Sequence, residues 1–190
     1  MNKYFRLDDI ENKKRYAKHF SARFERIETI RLNNLKDLIG RLPEENEFFF
    51  IETRKSVSAF TFIPYVINNA GRINNLFIAT YSINSRIINA LCRFQDKGLL
   101  ANVDIEIGES IKYRSVSTHR LLEQMVAERN WLITYAWTHR KISCMATDIG
   151  KFVSEGSGNF GENAQIEQYL FYKSEKLYEF RNHKAGNLGR

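Results

Sequence analysis

Between Phe48 and Trp137 the sequence alternates apolar runs of strand length with amphipathic stretches of helical period, and this alternation constrains the fold most strongly. Phe48-Phe49-Phe50-Ile51, within 47–53, suits a strand buried on both faces. Residues 56–70 read as a helix ended by Gly71, with Pro64 placed to kink its middle. A second strand follows over 76–81. In 85–97, Ile87, Ile88, Leu91 and Phe94 recur at helical spacing before Gly98 stops the pattern. Val103, Ile105 and Ile107 alternate with Asp104 and Glu106, as in a half-buried strand. Residues 115–129 form a further amphipathic helix and 131–137 another apolar strand. The order predicts an α/β fold: a mixed, largely parallel β-sheet flanked by helices. Ligand sites in such sheets gather at the carboxyl ends of strands, which directs attention to the residues after Trp137.

Upstream, 1–42 reads as an N-terminal amphipathic helical extension, 43–184 as the α/β domain and 185–190 as a flexible tail. Ala17, Phe20, Phe24, Ile27 and Ile30 recur at three- and four-residue steps, and Leu35, Leu38 and Ile39 continue the stripe to Gly40 and Pro43. Between Lys13 and Arg26 the helix also carries Lys14, Arg15, Lys18 and Arg23 against one acid, Glu25. Such a strip suits either a solvated face or a phosphate contact.

A chain of 190 residues favours one domain, and 43% apolar residues are enough to build its core. Cys92 and Cys144 lie in apolar contexts without metal-ligand spacing, as expected of buried reduced thiols. No apolar run approaches the roughly 20 residues of a membrane span, and the start lacks the apolar core of a signal peptide. A cytoplasmic location is therefore expected. The net charge of +7 favours polyanionic partners, nucleic acid or an anionic membrane surface.

After Trp137 the chain reads Thr138-His139-Arg140-Lys141-Ile142-Ser143-Cys144, turns through Thr147-Asp148-Ile149-Gly150, and returns to Gly156-Ser157-Gly158-Asn159. This predicts a β-hairpin turning near 148–150. Residues two apart on a strand share a face, so His139 and Lys141 point together while Ile142 and Cys144 face a core. The return arm brings the Gly-Ser-Gly-Asn segment back to the level of His139. An imidazole nitrogen there can attack phosphorus, and Lys141 can hold the non-bridging oxygens. Ser157 and Asn159 offer neutral donors, and the glycines let backbone amides approach a phosphate. Tyr135, Trp137, Tyr169, Phe171 and Tyr172 could stack on bases, although their alternating positions favour the core.

These residues resemble the His-x-Lys…Asp…Gly-Ser-x-Asn signature of the phospholipase D superfamily. His139, Lys141, Gly156, Ser157 and Asn159 match its positions, and Glu167 matches a following acid that orients the histidine in that family. The family's aspartate position holds Ala146, with Asp148 two residues later, which reads as a longer hairpin tip carrying a displaced aspartate. The resemblance implies a phospholipase D-like fold and metal-independent phosphodiester chemistry through a phosphohistidine, with no cofactor. Catalytic roles fall to His139, Lys141, Ser157, Asn159 and Glu167; phosphate binding falls to Lys141, Gly156, Ser157 and Asn159.

Only one His-x-Lys is present; His19, His119 and His183 lie in other contexts. Two-step transfer needs both a nucleophile and a general acid. The resemblance to small single-motif members therefore implies a homodimer with His139 of both chains at one shared site. The basic balance favours a nuclease acting on DNA or RNA over a phospholipid hydrolase or phosphatidyl transferase at a membrane. A catalytically inactive nucleic-acid-binding module of the same fold is the third reading.

Overall fold

The computed structural model describes residues 7–54, 56–161 and 166–183, with side chains from Arg23 onward. Helix α1 (Leu7–Ile39) leads into strand β1 (Phe48–Arg54). A short 3-10 turn (Ala59–Thr61) opens α2 (Phe62–Ala70), followed by β2 (Ile73–Thr80), α3 (Ser85–Asp96) and β3 (Leu100–Gly108). Then come α4 (Ile111–Arg114), α5 (Val116–Arg129), β4 (Leu132–Ala136), β5 (Lys141–Thr147), β6 (Gly150–Gly156), β7 (Ile166–Lys173) and α6 (Glu175–Arg181).

The helices begin and end where local chemistry requires. Asn84 caps α3 by accepting the Ile87 amide at 3.0 Å. Gly71 and Gly98, at φ 83° and 71°, end α2 and α3 in backbone that a Cβ disfavours. Pro64 sits in the first turn of α2, where its missing N–H has no intrahelical partner to lose, so the anticipated kink has no cause there.

One seven-stranded sheet runs β1-β7-β6-β5-β2-β3-β4. It is mixed and flanked by helices, as the alternation predicts. Parallel pairing is confined to β2–β3 and β3–β4, which the crossovers through α3 and α5 join. The four remaining pairings are antiparallel, because β5–β6–β7 form a meander whose last strand is flanked by β1. The helices α1, α2, α3 and α5 cover one face over the main core, which includes Phe62, Ile78, Ile105, Trp131, Phe152 and Phe171. The short α6 covers part of the other face through Tyr178, packed with Phe77, Ile142, Cys144, Val153 and Tyr172. Both cysteines are buried and unbridged, and burial pushes the Cys144 thiol up to about 12.

Two expectations are corrected. The Phe48-Phe49-Phe50-Ile51 run is not buried on both faces: β1 is an edge strand, and Phe48 and Phe50 are 57% and 80% exposed on the side away from the main core. Along α1, the buried contacts come from Phe24, Leu32, Leu35 and Ile39, while Ile30 and Leu38 point to solvent. The steps of 24, 28, 31, 35 and 39 follow the helical period against the core, and they enclose the Glu28–Arg31 ion pair at 2.6 Å. Phe24 and Leu35 belong to the main core, so this end of the helix is part of the packed body. Ala17, Phe20 and most of the Lys13–Arg26 strip lie outside the described side chains, as does the 185–190 tail; Arg23 and Arg26 are exposed.

Candidate active site

The predicted hairpin forms with its turn at Asp148 and Ile149, where Thr147 pairs with Gly150. Its register sets Ile142 opposite Glu155, so the next step places Lys141 level with Gly156 at the open end. On the other side of β5, Lys141 pairs with Thr80, the last residue of β2. Because β5 is antiparallel to β2, the amino end of β5 meets the carboxyl ends of β2 and β6. His139 and the Gly156–Asn159 segment therefore share one rim of the sheet.

The strand alternation works as expected around the motif. Lys141 and Ser143 face the helix-covered side and Ile142 and Cys144 the α6 side. His139 lies in the loop just before β5 and is exposed, whereas Lys141 is 9% exposed. The Lys141 Nζ donates to His139 Nδ1 at 2.8 Å and to the His139 carbonyl at 2.8 Å. Burial holds the Lys141 ammonium below the ordinary lysine range, with the Glu167 charge opposing that shift.

Arg140, between the two, points to the other face. It forms an ion pair with fully buried Glu106 at 2.6 Å, donates to the His183 carbonyl at 3.2 Å and lies over Phe77. The strand entry is thus anchored through Arg140.

Ser157 closes the return arm. Its amide donates to the Gln168 carbonyl at 3.0 Å, and its hydroxyl accepts the Gln168 amide at 3.1 Å and donates to the Glu167 carboxylate. Glu167 therefore bonds Ser157 rather than His139. Gly156 packs flat against β7: a Cβ there would lie 2.2 Å from the Gln168 carbonyl oxygen and 2.5 Å from the Tyr169 ring. Asn159 is half-buried, and its side-chain oxygen is buried without a partner among the described residues. Next to it, Phe160 is tied to the β2–α3 loop through the Asn84 amide at 3.2 Å. A cleft of about 460 Å³ opens beside the rim, with His139, Lys141, Gly156, Arg140 and Arg181 in its wall.

Asp148 stands at the far end of the hairpin, where it accepts from Asn74 at 2.6 Å. Among the described residues, no three His, Cys, Asp or Glu side chains come together at metal-ligand spacing. His119 lies on α5 near Glu123 and Tyr135, and His183 lies against Phe180.

Sequence reasoning missed one part of the site. Tyr81, just after β2, packs its ring 5.4 Å from that of His139, and Arg114 of α4 bonds the Tyr81 hydroxyl at 2.5 Å. The only sequence signal was position, since both follow carboxyl ends of parallel strands. A further correction concerns Trp137. It is wholly exposed, not core, because β4 ends at Ala136 and the chain leaves the sheet there. Tyr169, Phe171 and Tyr172 are buried, and Tyr135 packs on the core edge.

No family model matches this chain, and no curated protein matches it. Among solved structures it is similar to polyphosphate kinase from Porphyromonas gingivalis, with TM-score 0.51 and 17% identity over 67% of this chain and 23% of the kinase. It is also similar to NucT from Helicobacter pylori, with TM-score 0.51 and 19% identity over 70% of this chain and 91% of NucT. The chain thus spans under a quarter of the kinase's length and most of NucT's. At such identities the likeness is one of fold, and the fold is phospholipase D-like.

Proposed function

We propose that this chain is a metal-independent phosphodiesterase, a nuclease that works through a phosphohistidine in a site shared across a homodimer. The observation that carries the reading is the exposed His139 imidazole held by the buried Lys141 ammonium at 2.8 Å, on the same strand-end rim as Ser157 and Asn159. This pairs the family's nucleophile and phosphate cation in contact. NucT's name and similar fold add support for a nuclease, and the +7 charge favours nucleic acid as substrate.

A bound phosphate draws the Lys141 ammonium onto its non-bridging oxygens and so releases the imidazole. A His139 nitrogen attacks phosphorus as the bond to the leaving oxygen breaks. The partner's imidazolium gives that oxygen its proton. Water, deprotonated by the same partner imidazole, then opens the phosphorus–nitrogen bond and returns both histidines to their starting states. Asn159 supplies a neutral donor from its side-chain amide, and Ser157 supplies one when its hydroxyl turns from Glu167 to the phosphate. Glu167 keeps Lys141 charged against its desolvation. Because burial lowers the proton affinity of Lys141, activity should fall on the alkaline side earlier than an ordinary lysine would dictate.

The test is cleavage of labelled DNA and RNA in excess EDTA, wild type beside His139→Ala. The expected result is cleavage that persists in EDTA and drops by at least about 1,000-fold in the variant. A folded wild type that cleaves neither polymer overturns the nuclease reading, leaving the lipid and binding-only readings.

A further inference from the structure

Trp137 is fully exposed, an unusual state for the largest aromatic side chain and the reverse of Trp131, which is 1% exposed and bonded to Gln95. It stands two residues before His139, so the two Cα atoms lie within about 7 Å of each other. That span is about one nucleotide step along a sugar–phosphate chain. On the same rim, the exposed Arg114 has no carboxylate partner among the described residues and bonds Tyr81, which packs on His139. Tyr113 beside it is 81% exposed. Lys112 is partly offset by Glu109 at 3.1 Å. The rim thus carries an open indole, a guanidinium without a carboxylate partner among the described residues, and the histidine of the proposed phosphate site, which combines a stacking platform with a backbone cation.

We infer that Trp137 is a base-stacking platform that makes single-stranded nucleic acid the ligand of this rim, seating the base next to the phosphate held at His139 and Lys141. The inference rests on the phosphodiesterase reading of that neighbouring site. Duplex bases are already stacked on one another and cannot cover the indole, whereas every unpaired base offers a π-face. The surface is suited to nucleic acid rather than to an apolar partner because Arg114 and Lys141 stand on the same rim as Trp137 and the chain carries a net charge of +7.

The chain has only two tryptophans, and the buried one supplies a constant background, so Trp137 reports its own occupancy. The His139→Ala protein is titrated with a ten-residue thymidine oligonucleotide, its duplex with oligo-dA, and inorganic polyphosphate. Tryptophan emission and the anisotropy of a labelled oligonucleotide are both followed. The single strand should quench the exposed, red-shifted emission, the duplex should quench it much less, and base-free polyphosphate should leave it unchanged. Adding Trp137→Ala should weaken single-strand binding about tenfold, with Trp137→Phe recovering most of it. Equal binding with and without the indole, equal quenching by duplex, or no oligonucleotide binding at all would overturn the inference. So would conversion of a dimer to a monomer by Trp137→Ala in sedimentation, which would assign this face to a second copy. Quenching without cleavage by the wild type would reject the nuclease while keeping the platform. Cleavage with unchanged KM in Trp137→Ala would do the reverse.

Discussion

At the scale of single residues, the site depends on how closely backbone and side chains approach one another. Gly156 is there for space rather than for an unusual backbone angle, since any Cβ would run into the Gln168 carbonyl and the Tyr169 ring. Gly156→Ala should therefore destabilise the fold by about 1–3 kcal/mol, read as a lower urea midpoint at unchanged slope. An undiminished midpoint would mean that β7 yields without penalty. The sequence marks this glycine only as a candidate phosphate contact; its packing role was not legible, because the facing strand comes from residues ten and more positions downstream. The closeness of His139 and Lys141 was legible from their two-residue spacing, although His139 lies in the loop before β5 and meets Lys141 through its ring and carbonyl rather than by strand alternation. Tyr81 and Arg114 were invisible because nothing local marks two loops that meet only in the fold.

At the scale of elements, hydrophobic pattern named the helices and strands but not their positions in the sheet. The aromatic run of β1 has the composition of a central strand, and only pairing shows it to be an edge. Helix α1 carries apolar residues around more than one face, so the sequence supports two overlapping stripes and the partner surface selects between them. Leu35 is fully buried and Leu38 is 56% exposed, three residues apart. Leu35→Ala should cost about 2–5 kcal/mol, and Leu38→Ala less than about 0.5 kcal/mol. Parallel denaturation curves check both; equal losses would contradict the observed orientation of the helix.

At the scale of the whole molecule, one His-x-Lys rim per chain makes the proposed chemistry a property of two chains. Wild type mixed and re-equilibrated with increasing His139→Ala should lose activity as the square of the wild-type fraction, about a quarter remaining at equal mixing. A linear decline to half would show that each chain works alone. The α/β class and the meeting of His139 with the Gly156–Asn159 segment at one end of the strands were legible from the alternation of strand and helix and from the hairpin pattern. How the sheet is finished was not, since the β1–β7 pairing joins segments from opposite ends of the domain.

That pairing also has a consequence in time. Strand β7 lies between β6 and β1, and it brings both Glu167 and the surface against which Gly156 is fitted. A chain emerging from the ribosome has His139 and Lys141 in hand well before then, yet β6 and β1 remain open edges until the last strand is made. Long-range closure of this kind is slow compared with hairpin formation. This rim is therefore assembled last, and a nascent or truncated chain carries His139 and Lys141 without Glu167 or the surface against which Gly156 is fitted.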